Sequence, residues 1–151
     1  MQTPTFWKLS LGTDYFDFSQ LIESIEERIV YVHKDTGAKG TRYVTQGEDF
    51  INAKIGDYFY LTHGNSGIYL LGQFIGPANF ITKRGEGWTD RPFRIIARSN
   101  NTSCYDGSEK WWTPNHRSTF VKIPEPEIKE FEELILKPYF EISLSDYGFQ
   151  V

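Results

Sequence analysis

The sequence predicts a single α+β domain over residues 1–151: a curved sheet or partly open β-barrel of five to six short strands with helices packed outside. Three observations predict this class. The length is close to that of one ordinary domain. Several short runs rich in β-branched and aromatic residues are separated by glycine-rich turns. Aromatic residues make up 17% of the chain, a content that suits a β-rich core.

The first part of the chain alternates strand and helix signals. Residues 5–10 predict a strand, because successive side chains alternate between two faces. Ser19 is the expected N-cap of a short helix that carries Leu21, Ile22 and Ile25. Residues 28–32 predict the second strand. The polar stretch 33–47 predicts a long loop, and loops of this length are usually functional or mobile.

The middle of the chain predicts a β-hairpin. A short helix over residues 48–54 is expected to lead into the first strand of this hairpin. The strands are residues 58–62 and 68–75. The turn between them, His63-Gly-Asn-Ser-Gly67, is rich in residues that tolerate positive φ.

Two further strands and a helix complete the order. Strands are predicted at residues 93–98 and 118–123. The Pro124-Glu-Pro126 segment marks a helix start, and residues 127–136 predict the closing helix, with one apolar face.

Trp88 is the strongest functional signal. It lies in Gly85-Glu-Gly-Trp-Thr-Asp-Arg91, a polar segment interpreted as a loop between the strands at 68–75 and 93–98. A large aromatic side chain on such a loop predicts a platform for a flat ligand, most commonly a nucleobase. The alternative is that Trp88 folds over the sheet and covers the core.

Charge and composition exclude several classes. A net charge of −4 and a pI near 5.4 argue against a generally basic nucleic-acid binder, but they permit a pocket that grips one extruded base. Cys104 is the single cysteine, so neither an internal disulfide nor a cysteine zinc site is expected. The three histidines lack metal-ligand spacing, and we expect no metal and no cofactor. Without a secretory leader or a membrane-length apolar run, a cytoplasmic location is expected.

An ordered set of short motifs resembles the PUA-like superfamily, particularly its EVE and YTH branches. The resemblance covers roughly residues 5–125. Its carriers are Phe6-Trp-Lys-Leu-Ser-Leu-Gly-Thr-Asp14, Tyr31, Gly56-Asp-Tyr-Phe-Tyr-Leu61, Gly64-Asn-Ser-Gly67, Ile68-Tyr-Leu-Leu-Gly-Gln-Phe-Ile-Gly76, Trp88 and Pro114-Asn115.

The resemblance implies recognition of a modified base that has been flipped out of its stack. Tyr31 and Trp88 would then be walls of an aromatic cage, Ser10 and Leu11 would offer backbone groups to the base edge, and Asp14 would accept a hydrogen bond from it. Two departures favour an EVE-like reader of DNA over a YTH-like reader of methylated RNA. Tyr31 stands where a tryptophan is usual in the YTH pattern, and the loop 33–47 is an added element.

The implied partner is DNA carrying a methylated or hydroxymethylated cytosine or N6-methyladenine, with RNA as the alternative. The setting would be target recognition in a modification-dependent restriction system, with a AAA+ GTPase or a nuclease as a further domain or subunit. Basic residues near Trp88 would contact the phosphate backbone, although such clusters are often only a solvated rim. They are Lys83, Arg84, Arg91, Arg94 and Arg117.

Two rival interpretations remain open at this point. Related barrels of the ASCH branch include small hydrolases that act on modified nucleosides, and Lys8 or Lys54 with Thr62 and Glu48 would be the corresponding groups. No nucleophile elbow, phosphate loop or metal triad is present, so we expect the chain itself not to be an enzyme. Trp111 and Trp112 could supply a second stacking platform, with one of the two in the core.

Overall fold

The computed structural model describes residues 4–38 and 44–147 and shows an α+β chain whose six-stranded mixed sheet curls into a half-barrel. The strand order is β2-β5-β4-β3-β1-β6. The strands are β1 Phe6–Ser10, β2 Ile29–His33, β3 Tyr58–Thr62, β4 Ile68–Phe74, β5 Trp88–Arg98 and β6 Phe120–Lys122. The predicted fold class and the curved, partly open sheet are therefore confirmed.

Strand pairing follows the turn chemistry of the sequence. β3 and β4 form the predicted antiparallel hairpin, in which Tyr58 pairs with Gln73. β1 runs parallel to β3 and antiparallel to β6, so the first strand lies next to the last. β5 joins the hairpin to β2, with a register shift between Leu71 and Gly72 on β4. Such a shift increases the local bend of a sheet.

Helix α1, Phe18–Glu27, begins earlier than predicted. Asp17, and not Ser19, is the N-cap, because its carboxylate accepts a hydrogen bond from the Gln20 N–H while the Gln20 side chain accepts one from the Asp17 N–H. This reciprocal pair satisfies two amide donors and defines the start of the helix.

Helix α2, Gln46–Asn52, also starts two residues before the predicted position. Thr45 and Glu48 form the same reciprocal cap there. The closing helix begins as α3, Ile128–Phe131, and continues as a π-helical segment, Glu132–Phe140, which extends beyond the predicted end. Of the predicted loop 33–47, residues 39–43 lie outside the described part of the chain.

Two apolar clusters hold the helices to the sheet. One cluster joins α1 and α2 to the strands and includes Leu21, Ile25, Phe50, Phe59 and Phe120. The other joins the closing helix to the strands and includes Phe6, Tyr60, Trp112, Phe131 and Ile135. The helices therefore pack on both faces of the sheet. Trp88 packs against the first cluster while remaining partly exposed.

β5 begins five residues before its predicted start, which places Trp88 in a strand and corrects its assignment to a loop. The polar run after Trp88 suggested solvent, yet Thr89, Asp90 and Arg91 are all buried. Each has a partner that offsets its burial. The Thr89 hydroxyl donates to the Val32 carbonyl, Asp90 accepts from the Asn79 amide at 2.9 Å, and Arg91 donates to the Gly76 carbonyl. Hydrogen bonds to residues distant in sequence thus allow this polar segment to form a buried strand.

Candidate functional site

The register of β2 and β5 brings Tyr31 and Trp88 to the same face of the sheet. Tyr31 pairs with Asp90 and His33 pairs with Trp88 in this antiparallel ladder. Tyr31 and Trp88 are therefore diagonal neighbours, a separation that aromatic side chains can span. The His33 ring meets the Trp88 ring edge-on at 5.2 Å and supports it from the paired position.

Phe16 supplies a third aromatic wall that the sequence analysis did not identify. Its ring lies 5.7 Å from Trp88 in an edge-on contact and 6.2 Å from Tyr31. The turn after β1 positions it, because the Phe16 N–H donates to the Gly12 carbonyl and the Phe16 carbonyl contacts His63 Nε2 at 2.6 Å. Phe16, Tyr31 and Trp88 are called the aromatic cage below.

The guanidinium of Arg84 occupies the aromatic cage. Its central carbon lies 3.8 Å from the Phe16 ring centre, 4.6 Å from that of Trp88 and 5.8 Å from that of Tyr31. Arg84 Nη2 donates to the Tyr15 carbonyl at 2.9 Å, whereas its Nε is buried and finds no hydrogen-bond partner within residues 4–38 and 44–147. This desolvation lowers the pKa of the Arg84 guanidinium from its usual value. The cage therefore encloses a flat group that carries hydrogen-bond donors on its edge.

The rim of the cage is formed by the turn between β1 and α1. The Tyr15 ring is 67% exposed and lies 6.0 Å from Trp88. Asp14, which directly precedes Tyr15, is exposed and forms an ion pair with Arg117 at 3.6 Å. An exposed aromatic ring and a charged pair therefore lie next to each other on the turn that borders the cage.

Ser10 and Leu11 are placed differently from Asp14. The Ser10 N–H donates to the Thr119 carbonyl and the Leu11 N–H to the Thr62 carbonyl, so neither N–H is available to a base edge. The Ser10 hydroxyl accepts from the Gly64 N–H at 3.1 Å, and the Leu11 side chain is fully buried. The sheet therefore uses both N–H groups, so the predicted contact of Ser10 and Leu11 with a base edge would have to be made by other backbone atoms.

Arg91 is a structural residue, and its predicted contact with a nucleic-acid backbone is wrong. It is 1% exposed, and its guanidinium donates to the carbonyls of Gly76, Phe50 and Ala53 while stacking 4.4 Å from the Phe74 ring centre. A buried arginine needs such acceptors, because a charge without partners is costly in the interior.

The other basic residues that were predicted to contact phosphate groups lie in different surroundings. Lys83 donates to Glu23 and Glu27 on α1, and these hydrogen bonds raise the pKa of its ammonium. Arg94 donates to Gln73 and lies roughly 20 Å along β5 from Trp88, at about 3.3 Å per residue. Arg117 is 91% exposed at the rim of the cage. Of the five, Arg117 thus combines exposure with proximity to the cage.

Two groups of the hydrolase alternative, Lys8 and Glu48, have structural partners. The ammonium of Lys8 is buried and donates to the Thr113 carbonyl, the His116 carbonyl and the Ser118 hydroxyl, at 2.8–2.9 Å. Glu48 caps α2. The Thr62 hydroxyl is buried and has no hydrogen-bond partner among the described residues.

A separate cavity of about 400 Å³ lies beside the Trp111–Trp112 pair. Trp112 is fully buried and donates to Glu127 at 3.1 Å, whereas Trp111 is 46% exposed. The prediction that one of the pair belongs to the core is confirmed. The cavity is lined by Glu109, Lys110, Trp111, His116 and Glu127, so its lining carries both acidic and basic side chains.

Residues 4–38 and 44–147 contain neither a membrane-spanning helix nor a cluster of metal-binding side chains. No helix there is long and apolar enough to cross a membrane. No group of three or more histidine, cysteine, aspartate or glutamate side chains is placed to hold a metal ion. Cys104 is exposed.

Comparison with known proteins establishes similarity of fold. No family model matches the chain, and no curated protein matches it. A structural-genomics target from Agrobacterium tumefaciens is similar with a TM-score of 0.52 and 12% identity over 83% of this chain and 89% of that one. A second target, from Pseudomonas syringae, has a TM-score of 0.52 and 12% identity over 85% and 98% of the two chains. A hypothetical protein from Leishmania major has a TM-score of 0.50 and 13% identity over 86% and 93%.

Proposed function

We propose that this protein is a PUA-like, EVE/YTH-type reader that holds a flipped-out modified nucleobase in the aromatic cage. The observation that carries the proposal is the enclosure of a planar guanidinium by Phe16, Tyr31 and Trp88. A nucleobase resembles that guanidinium in being flat and in carrying hydrogen-bonding groups on its edge. Arg84 thus marks the position that the base would take.

The energetics of base reading fit a cage of this kind. A methyl group contributes only about 0.8 kcal/mol on burial, so it is discriminated best when aromatic faces surround it. Flipping costs a few kcal/mol, and stacking on an aromatic side chain returns about 1–3 kcal/mol per base. A cage with three aromatic walls can therefore offset most of the cost of extrusion.

The polymer that carries the base is proposed to be DNA. The motif order resembles EVE domains of modification-dependent restriction proteins, in which a AAA+ GTPase or nuclease acts on the recognised site. Such a partner would supply most of the contacts with the sugar–phosphate backbone, consistent with a net charge of −4. RNA carrying N6-methyladenine is the alternative substrate.

A binding panel tests the proposed function. We expect oligonucleotides with one modified cytosine or adenine to bind at least about tenfold more tightly than the unmodified oligonucleotide of the same sequence. Fluorescence anisotropy measured with DNA and RNA oligonucleotides of the same sequence would show which polymer the protein prefers. Equal affinity across all members would contradict a reader function, and cleavage or base removal by the isolated protein would favour the hydrolase alternative.

The salt dependence of binding should be shallow. Arg91 is buried and Lys83 is held by two carboxylates, so we expect only one or two phosphate contacts, with Arg117 the main one. The logarithm of the binding constant should then fall with the logarithm of salt concentration with a slope of about −1 to −2. The Arg117→Ala variant should weaken binding to modified and unmodified DNA alike. A slope steeper than about −4 would reveal a phosphate-binding surface elsewhere.

A further inference from the structure

The position of Arg84 indicates what kind of ligand suits the aromatic cage. Aromatic faces attract cations, because the ring quadrupole places negative potential above the ring plane. Arg84 has no carboxylate partner among the described residues, and its guanidinium lies against three rings. The cage thus already accommodates a planar cation without a neutralising acid.

The charges around the Tyr31 end of the cage also favour a cation. Lys83, Glu27, Asp90 and Arg84 all act electrostatically on the Tyr31 hydroxyl, two cations against two carboxylates. Lys83 is shared between Glu27 and Glu23. When Arg84 leaves, negative charge is therefore in excess at this end. A cationic ligand would bring back the positive charge that Arg84 takes away from the Tyr31 hydroxyl, whereas a neutral ligand would not.

Arg84 is also held weakly enough to be displaced. Its Nε is buried without a hydrogen-bond partner in the described part of the chain, and one hydrogen bond to the Tyr15 carbonyl anchors its other end. An unsatisfied buried donor opposes the cation–π attraction. Since Lys83 is bound to α1 and Trp88 lies in β5, displacement requires only the Arg84 side chain to leave the cage.

We propose that the preferred ligand of the aromatic cage is a modified base with a positive charge, and that this base displaces the guanidinium of Arg84. The inference rests on the proposed function and specifies its ligand class. Bases that are cationic at neutral pH because a ring nitrogen is methylated belong to this class, for example 1-methyladenine and 3-methylcytosine. Arg84 acts as an internal competitor that excludes uncharged, unmodified bases.

An isomer pair tests the charge preference directly. 1-Methyladenine and N6-methyladenine carry one methyl group each and differ in charge at neutral pH. We expect the protein to bind a single-stranded oligonucleotide containing 1-methyladenine about tenfold more tightly than the otherwise identical N6-methyladenine oligonucleotide. Arg84→Gln and Arg84→Ala should bind both more tightly than the unaltered protein, whereas Arg98→Ala, an exposed control on the same strand as Trp88, should bind both unchanged.

The outcomes separate this inference from the proposed function. Equal or weaker binding of the 1-methyladenine oligonucleotide, with Trp88→Ala still weakening modified-base binding, overturns the charge preference and leaves the reader function intact. Failure of the unaltered protein and both Arg84 variants to prefer any modified base overturns both. A peptide containing dimethylarginine that binds more tightly than every oligonucleotide also overturns both. The unaltered protein alone decides the isomer comparison if the Arg84 variants do not fold.

Discussion

Replacing Arg91 by methionine is expected to reduce the free energy of unfolding by about 3–5 kcal/mol, because three buried carbonyl oxygens lose their donors at a cost of about 1–3 kcal/mol each. Arg91 donates to three backbone carbonyls that join β5, α2 and the segment after β4. Methionine fills part of the volume but leaves those carbonyl oxygens buried and without these donors. A loss of this size approaches the total stability of many domains.

Urea unfolding with Arg94→Met as the matched control measures this effect. Arg94 lies on the same strand but is exposed, so its substitution should change stability by no more than about 0.5 kcal/mol. Arg91→Lys should fall between the two, because a compact ammonium cannot reach all three carbonyls as the guanidinium does. Similar unfolding midpoints for Arg91→Met and Arg94→Met would show that Arg91 is not a structural residue.

Replacing Trp88 by alanine is expected to weaken binding of a modified oligonucleotide by about 1–3 kcal/mol, or roughly 5- to 150-fold. The Trp88 ring is the wall that closes the aromatic cage from the β5 side. Its loss should also reduce the preference for the modified over the unmodified base, because the methyl group loses one enclosing face. Trp88→Phe retains a ring and should lose less.

Trp111→Ala is the matched control for Trp88→Ala. Both substitutions remove a partly exposed tryptophan, but Trp111 lines a different cavity, with Glu109 and Glu127, and is not a wall of the aromatic cage. We expect binding by Trp111→Ala to remain within about twofold of the unaltered protein. Circular dichroism should show that both variants are folded. If Trp111→Ala lost much of its binding affinity and Trp88→Ala lost none, the binding site would instead be the cavity beside Trp111.

Local signals in the sequence determined much of the architecture. The positive-φ turn between residues 58–62 and 68–75 and the alternation on either side predicted β3 and β4 almost residue by residue. Predicted helix starts were less accurate. Asp17 and Thr45, which lie earlier than the predicted starts, form reciprocal caps, a pattern that was present in the sequence but not used. Trp88 was selected from its polar surroundings and Tyr31 from the resemblance, and the register of β2 and β5 places them on one face.

The composition of the cage was decided by tertiary contacts. Phe16 and Arg84 meet across 68 positions of the chain, and no periodicity or local motif reports such a contact. The polar run after Trp88 was interpreted as a loop because exposed segments are usually polar. Its residues are instead buried, since partners distant in sequence satisfy their hydrogen bonds. The sequence alone therefore determined most of the strands and helices and two of the three aromatic residues of the cage. Tertiary structure decided which cations are buried, paired or enclosed by rings, because these states depend on the whole set of neighbours around each charge.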